Sequence, residues 1–260
     1  MVVSAMEWSD DAIVLALRPH GESAAILEAL TCEHGRHLGL VHGGASSKRR
    51  ATLQPGNQVR LTWRARLSEH LGTFTAEPVR VRAHAIFERR LALAGLNAFT
   101  AVAVAALPER EPHRPAFEGA TVLLDAIVDH DFTDWAPLYV RWELGLLDEL
   151  GFGLDLTRCA KTGTTENLLY VSPRTGRAVC AEGAGPYRDR LLALPAFLLG
   201  RRGPPAPSNV PANVLADLLA GLTLTEHFLD SSVLAPHDKK VPQARKRLTE
   251  LAARVTTESR

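Results

Sequence analysis

Apolar and polar positions change texture once along this chain, near Arg82. Before it, short apolar runs alternate with turn signals: Ala12–Leu17, Ala25–Leu30 and Leu38–His42 are punctuated by Pro19-His20-Gly21, His34-Gly35 and Gly43-Gly44. Such spacing marks a small all-β unit. Val59, Leu61 and Trp63 then alternate with Arg60, Thr62 and Arg64, so a period of two predicts a strand with one apolar and one cationic face. Leu71–Thr75 supplies a fifth run. Five short strands in about 70 residues suit the Greek-key barrel of the OB fold, which commonly binds oligonucleotides. The pattern alone suits an SH3-like barrel as well.

After Arg82 the period becomes helical. Phe87–Ala106 is rich in Ala and Leu and stops at Pro108. Phe117–Asp129 and Leu138–Leu150 carry helical spacing, the latter with Gly151 placed to end it. Thr157–Gly185 loses the helical pattern. Gly203–Ser208 is a Pro-rich connector, Ser208 or Asn209 caps a helix through Leu229, and Pro242 opens a basic helix to about Val255. The fold class expected is therefore α+β. It comprises an N-terminal barrel over 1–82 and a helical domain over 83–260, interrupted by an irregular insertion at about 157–187.

Composition adds charge segregation to this picture. The whole chain carries +1. Arg36, Lys48, Arg49, Arg50, Arg60, Arg64, Arg66, Arg80 and Arg82 face only Glu69 and Glu77 in residues 36–82, a local charge of +7. Residues 83–158 hold six basic and twelve acidic side chains, a local charge of −6. A cationic block of that density attracts polyanions by its field and by counterion release, and the acidic block repels them. No apolar stretch reaches the length of a membrane span and the first residues lack a secretory pattern, so a cytoplasmic protein is expected. Cys32, Cys159 and Cys180 are too scattered for a disulfide framework.

Motifs for catalysis are absent on inspection. Gly39 and Gly44 have P-loop spacing, but Ala45 and Ser46 stand where a lysine and a Ser/Thr would bind phosphate and magnesium. His20-Gly21-Glu22 is half of a zinc-deaminase signature without its P-C-x-x-C half. Neither G-x-S-x-G nor H-E-x-x-H occurs. Cys159 and Cys180 would be half of a C-x-x-C…C-x-x-C zinc site, but Thr162 and Gly183 occupy the partner positions. No catalytic residue, metal or cofactor is expected. Gly43-Gly44-Ala45-Ser46-Ser47-Lys48-Arg49-Arg50 instead reads as a loop that gathers amides, hydroxyls and cations, the donors that engage phosphate. Arg36, Lys48, Arg49, Arg50, Arg60, Arg64 and Arg66 are the candidate DNA-binding residues. Trp63 and Phe74 could stack bases, although Trp63 shares the apolar face of Val59 and Leu61, which favours the core.

Taken together, several stretches resemble the RecO family of bacterial DNA repair proteins. They are Asp11-Ala-Ile-Val-Leu with Gly21-Glu-Ser, the Gly35-Arg36 turn leading to Lys48-Arg49-Arg50, Glu143-Leu-Gly-Leu-Leu-Asp-Glu-Leu-Gly151-Phe, and Cys159-Ala-Lys-Thr-Gly163. The resemblance runs from Trp8 to about Leu251. It implies an OB domain, a helical C-terminal domain and a zinc-ribbon-like insertion that holds four cysteines in some members; here only two remain. It also implies a recombination mediator that binds single- and double-stranded DNA and anneals strands. With RecR, such a mediator helps RecA displace single-strand-binding protein. For the acidic tail of that protein, Arg188, Arg190, Arg201 and Arg202, or Lys239-Lys240 with Arg245-Lys246-Arg247, are the candidate cations. Two other classes remain open at this stage, a metal-dependent nucleic-acid enzyme and a protein-interaction adaptor without DNA binding.

Overall fold

The computed structural model describes residues 6–44, 46–199 and 211–258. Five strands close a barrel: β1 (Met6–His20), β2 (Ala24–Thr31), β3 (Arg36–Val41), β4 (Gln58–Ala65) and β5 (Thr73–Arg80), in the order β1-β2-β3-β5-β4. β1 is long enough to pair with β4 through Met6–Ile13 and with β2 through Ala12–His20, bending at an irregularity between Val14 and Ala16. β3 meets β5 in parallel at Leu40 and Thr73. That order, with the helix α1 (Ser47–Thr52) between β3 and β4, is the OB arrangement and settles the choice against an SH3-like barrel.

Alternation on the strands fills the barrel. Val14, Leu27, Ala29, Val59, Leu61, Trp63 and Phe74 point inward and are buried. Trp63 and Phe74 are 2% and 3% exposed, and the Trp63 indole N–H donates to the Leu71 carbonyl at 3.0 Å. Both rings are core, and neither presents a face to a base. Gly39 gives them room, because a Cβ there would lie 2.3 Å from the Phe74 ring.

One local expectation is corrected. The run through Lys48-Arg49-Arg50 is a helix rather than a loop: Ser46 leads into α1, and the Ser46 and Arg49 carbonyls accept from the Arg50 and Leu53 amides at 2.9 Å. Leu53, 1% exposed, anchors its end in the core. Asn57 then ties α1 to the next element, donating to the Ala51 and Thr52 carbonyls while accepting from the Arg82 and Ala83 amides.

Residues beyond Arg82 form α2 (Ala83–Phe87), α3 (Arg90–Ala106) and α4 (Arg114–Asp129), which share one compact unit, Met1–Asp129, with the barrel. The apolar run from Phe87 to Ala106 breaks at Glu88-Arg89, where the Arg89 backbone is extended and its guanidinium caps the Ile127 and Val128 carbonyls at the end of α4. His130–Arg260 is the second unit. It contains α5 (Phe132–Glu149), the strands β6 (Leu168–Val171) and β7 (Ala178–Cys180), α6 (Ala181–Ala184), β8 (Leu192–Ala193), α7 (Pro211–Phe228) and α8 (Gln243–Glu258). α5 starts well before the expected Leu138 and carries Pro137 within it. β7-β6-β8 form the small sheet of the ribbon-like insertion. Among the described residues no helix is long and apolar enough to cross a membrane.

Candidate nucleic-acid interface

The outer face of β4 carries Arg60 and Arg64, as its alternation requires. The register with β1 places Asp11 opposite Arg60 and Glu7 opposite Arg64. Both become ion pairs, Arg60 to Asp11 at 2.9 Å and Arg64 to Glu7 at 2.8 Å, with all four side chains 41–61% exposed. The hydrogen bond from Arg64 holds the Glu7 carboxyl below its ordinary value, and the carboxylates raise both guanidinium groups. Pairs this exposed are worth little to stability, so a phosphate can replace the carboxylate at small cost. Glu7 and Asp11 lie upstream of the cationic block, and only the strand register reveals that they oppose it.

Other members of the block face inward. Arg36 lies 13% exposed between Glu28 at 2.5 Å and the Leu107 carbonyl at 2.8 Å, with Glu109 at 3.6 Å. Its donors are engaged within the unit. Arg82 is 1% exposed against Asp125 at 2.6 Å, and Arg80 meets the same carboxylate at 2.6 Å. The apparent +7 is therefore mostly neutralised by acids from β1, β2 and α4, which a count confined to residues 36–82 leaves out.

Among the described residues of the block, those left unpaired lie on α1 and just after β4. Arg50 and Arg66 are exposed and have no partner among the described residues. Arg49 is exposed and donates to the His42 carbonyl, which holds it against the preceding turn. The backbone of Lys48 lies in the same helix. At the far end of β4, roughly 20 Å along the strand at 3.3 Å per residue, Arg66 begins the β4–β5 loop. Arg110, which sequence reasoning missed, braces that loop by donating to the Ser68, Glu69 and His70 carbonyls. Its signal in the sequence is faint, a lone arginine in a Pro-containing linker. Its backbone is left-handed, at φ 62°.

In the second unit the candidate cations divide as sharply. Arg188, Arg190, Lys240, Lys246 and Arg247 are exposed, and Arg188 sits 5.8 Å above the Tyr170 ring. Arg245 is corrected: it is fully buried and forks onto Glu143 at 2.5 and 2.9 Å, with the Leu222 carbonyl at 2.7 Å. Arg201 and Arg202, with the Gly203–Ser208 connector, lie outside the described residues.

The insertion brings its four key positions together. The Cys159 sulfur accepts from the Cys180 amide at 3.3 Å, the Cys180 sulfur accepts from the Gly183 amide at 3.2 Å, and the Thr162 hydroxyl lies 3.4 Å from the Cys180 sulfur. A Cβ on Gly183 would lie 2.9 Å from one sulfur and 3.3 Å from the other. Burial pushes the Cys159 thiol up, but the Cys180 amide and the hydroxyl and amide of Thr162 outweigh it and lower the pKa to about 6. Two thiols, a hydroxyl and a glycine do not fit a closed zinc site, which needs four N or S donors. Among the described residues no group of three or more His, Cys, Asp or Glu is placed to hold a metal.

Residues 6–82 match the family described as recombination protein O N terminal, and residues 88–240 the one described as recombination protein O C terminal. A curated relative from Cereibacter sphaeroides, named DNA repair protein RecO, is 52% identical over 96% of this chain and 100% of its own length. Relatives with the same name from Rhodospirillum centenum and Phenylobacterium zucineum are each 50% identical, over 98% of both chains for the first and over 92% of this chain and 95% of its own for the second. With both parts matched and half the residues shared over nearly the whole length, this chain belongs to the RecO family of DNA repair and recombination proteins.

Proposed function

We propose that this chain is a non-catalytic DNA-binding recombination mediator, which holds single and double strands through its OB unit and docks protein partners through its helical domain. The observation that carries this reading is the set of cations left exposed on a closed OB barrel. Arg49 and Arg50, with Lys48 in the same helix, and Arg66 meet the backbone, while Arg60 and Arg64 exchange carboxylates for phosphates. No contact of this kind reads a base, as strand annealing and coating require. RecR, RecA and single-strand-binding protein are the partners the family reading supplies, in the cytoplasm at the nucleoid. The acidic tail of single-strand-binding protein suits the exposed Arg188, Arg190, Lys240, Lys246 and Arg247 of the second unit.

The test is a salt titration of the full-length protein on single- and double-stranded oligonucleotides. Replacing Lys48, Arg49 and Arg50 together by Ala should lower the slope of log affinity against log salt by about 2 on single strands, at about 0.7 per lost contact. Sequence preference should not change. A folded triple variant with unchanged slope and affinity would move the DNA site off α1. For the tail, Lys246→Glu with Arg247→Glu should weaken binding of an acidic, apolar-ended peptide while DNA affinity holds; the reverse pattern would reassign the two units.

A further inference from the structure

A cleft of about 310 Å³ opens beside α1, floored by Ala25, Gly44 and Leu53 and walled by Leu17, Pro19 and Pro55. Among the described residues that line it, Arg50 and Gln54 carry the polar side chains and none is a carboxylate. Ala25 and Leu53 are apolar and 2% and 1% exposed, so the cleft lies directly on the barrel core. The Gln54 amide and the Arg50 guanidinium have no side-chain partner among the described residues. We infer that this cleft takes one unpaired nucleobase of a bound single strand, with the adjoining phosphate on Arg50.

Each part of the site has a reason to prefer that occupant. An apolar pit with Arg50 at its edge and no carboxylate among its described lining residues disfavours a cationic ligand and favours an uncharged ring attached to an anion. At this size, the low end of small-ligand pockets, it seats a single ring system rather than a length of peptide. Gln54 presents both a donor and acceptors on a rotatable amide, so it can satisfy the edge of any base without selecting one. The core rings Trp63 and Phe74 cannot serve as stacking platforms, so this pit replaces the aromatic stack that single-strand binders use to hold bases. A base in a duplex stays in its stack, so only unpaired strand gains from the site. The barrel would thereby distinguish single from double strands by pit occupancy while the surrounding cations serve both.

The inference rests on the DNA-binding reading above, and the test separates the two. Full-length protein is mixed with an oligothymidine that carries one 2-aminopurine, a base whose emission rises when it leaves its neighbours. Binding should brighten it several-fold, and Gln54→Trp, which fills the pit with its own ring, should abolish the rise and weaken single-strand affinity about tenfold while duplex affinity holds. An oligothymidine made largely of abasic sites should bind the unchanged protein about tenfold more weakly, an arm that does not depend on the variant folding. Unchanged emission, or full affinity for the abasic strand, would overturn the pit while leaving salt-dependent DNA binding intact. Loss of that salt dependence in the unaltered protein would overturn both. Displacement of 2-aminopurine by an acidic, apolar-ended peptide, lost in Gln54→Trp, would assign the pit to peptide instead.

Discussion

His37 shows how much one inward side chain can decide. It is 4% exposed among Trp8, Trp63 and Phe74, with ring centroids 5.3, 5.2 and 5.8 Å away. Burial lowers its pKa below the ordinary 6.5; the bond to the Leu38 carbonyl opposes this, Arg110 and His34 add repulsion, and Glu109 offsets part of it. The folded state therefore binds its proton less readily than the unfolded chain. Below pH 6.5 the unfolded state takes up more protons, so this residue's contribution is full above 6.5 and falls as pH drops toward the folded value. The urea midpoint of the wild type should decline between pH 7 and 5 more steeply than that of His37→Gln. Parallel declines would show that the ring is not the group responsible. His37 is one of ten histidines in the sequence, and nothing there separates it from the exposed His20 or His42. Gly35 has a comparable history: its turn was legible, yet only the fold shows that a Cβ there would lie 2.0 Å from the Glu111 carbonyl oxygen.

Among the elements, β4 was readable because its period is set by its own residues, and α1 was not. Six residues are too few for helical periodicity to register, and the flanking glycines and serines resemble a loop. The ribbon-like insertion is an intermediate case. Its Cys-x-x-Thr and Cys-x-x-Gly spacing was visible, but that all four positions converge is a matter of how β7 and the turn after Cys159 pack. That convergence yields an expected outcome. Thr162→Cys combined with Gly183→Cys should create a four-thiolate site and bring about one zinc per chain by elemental analysis, whereas the wild type should carry none. The backbone should accept the change, since Gly183 has no left-handed φ and the shortest contact, 2.9 Å, falls on the Cys159 sulfur that would become a fellow ligand; the Cys180 sulfur and the Val179 Cγ1 follow at 3.3 Å. A zinc-free double variant, or a wild type with stoichiometric zinc, would contradict this.

At the scale of the whole molecule, the second unit is held by a polar contact between residues far apart in sequence. Glu143 on α5 and Arg245 on α8 are both 0% exposed, and Thr225 on α7 donates to the same carboxylate. Thr249 accepts from Arg245 at 2.6 Å. Breaking such a pair strands a charge in a dry interior. Arg245→Met should cost about 3–5 kcal/mol, and adding Glu143→Leu should return much of it, since the charge left behind is then gone. Urea unfolding of the two variants checks this; equal losses would mean that packing, rather than the stranded carboxylate, sets the cost. The basic appearance of Pro242–Val255 suggested a helix that offers cations to a partner. Only the packing of three helices shows that Arg245 faces inward while Lys246 and Arg247 remain outside.

By itself the sequence determined the change from period two to helical period at Arg82, the inward set Val59, Leu61 and Trp63, and the lack of a full zinc shell. Each of these depends on neighbours along the chain, where spacing and residue type suffice. The family resemblance was legible for the same reason, in short runs such as Glu143–Phe152. Tertiary structure decided which charges are available. Glu7 and Asp11 neutralise Arg60 and Arg64 across a strand register, Glu28 takes up Arg36, and Asp125 takes up Arg80 and Arg82. Coulomb attraction falls with distance in space, not with separation in sequence, so a count along the chain measures charge present, and only the fold measures charge left unpaired.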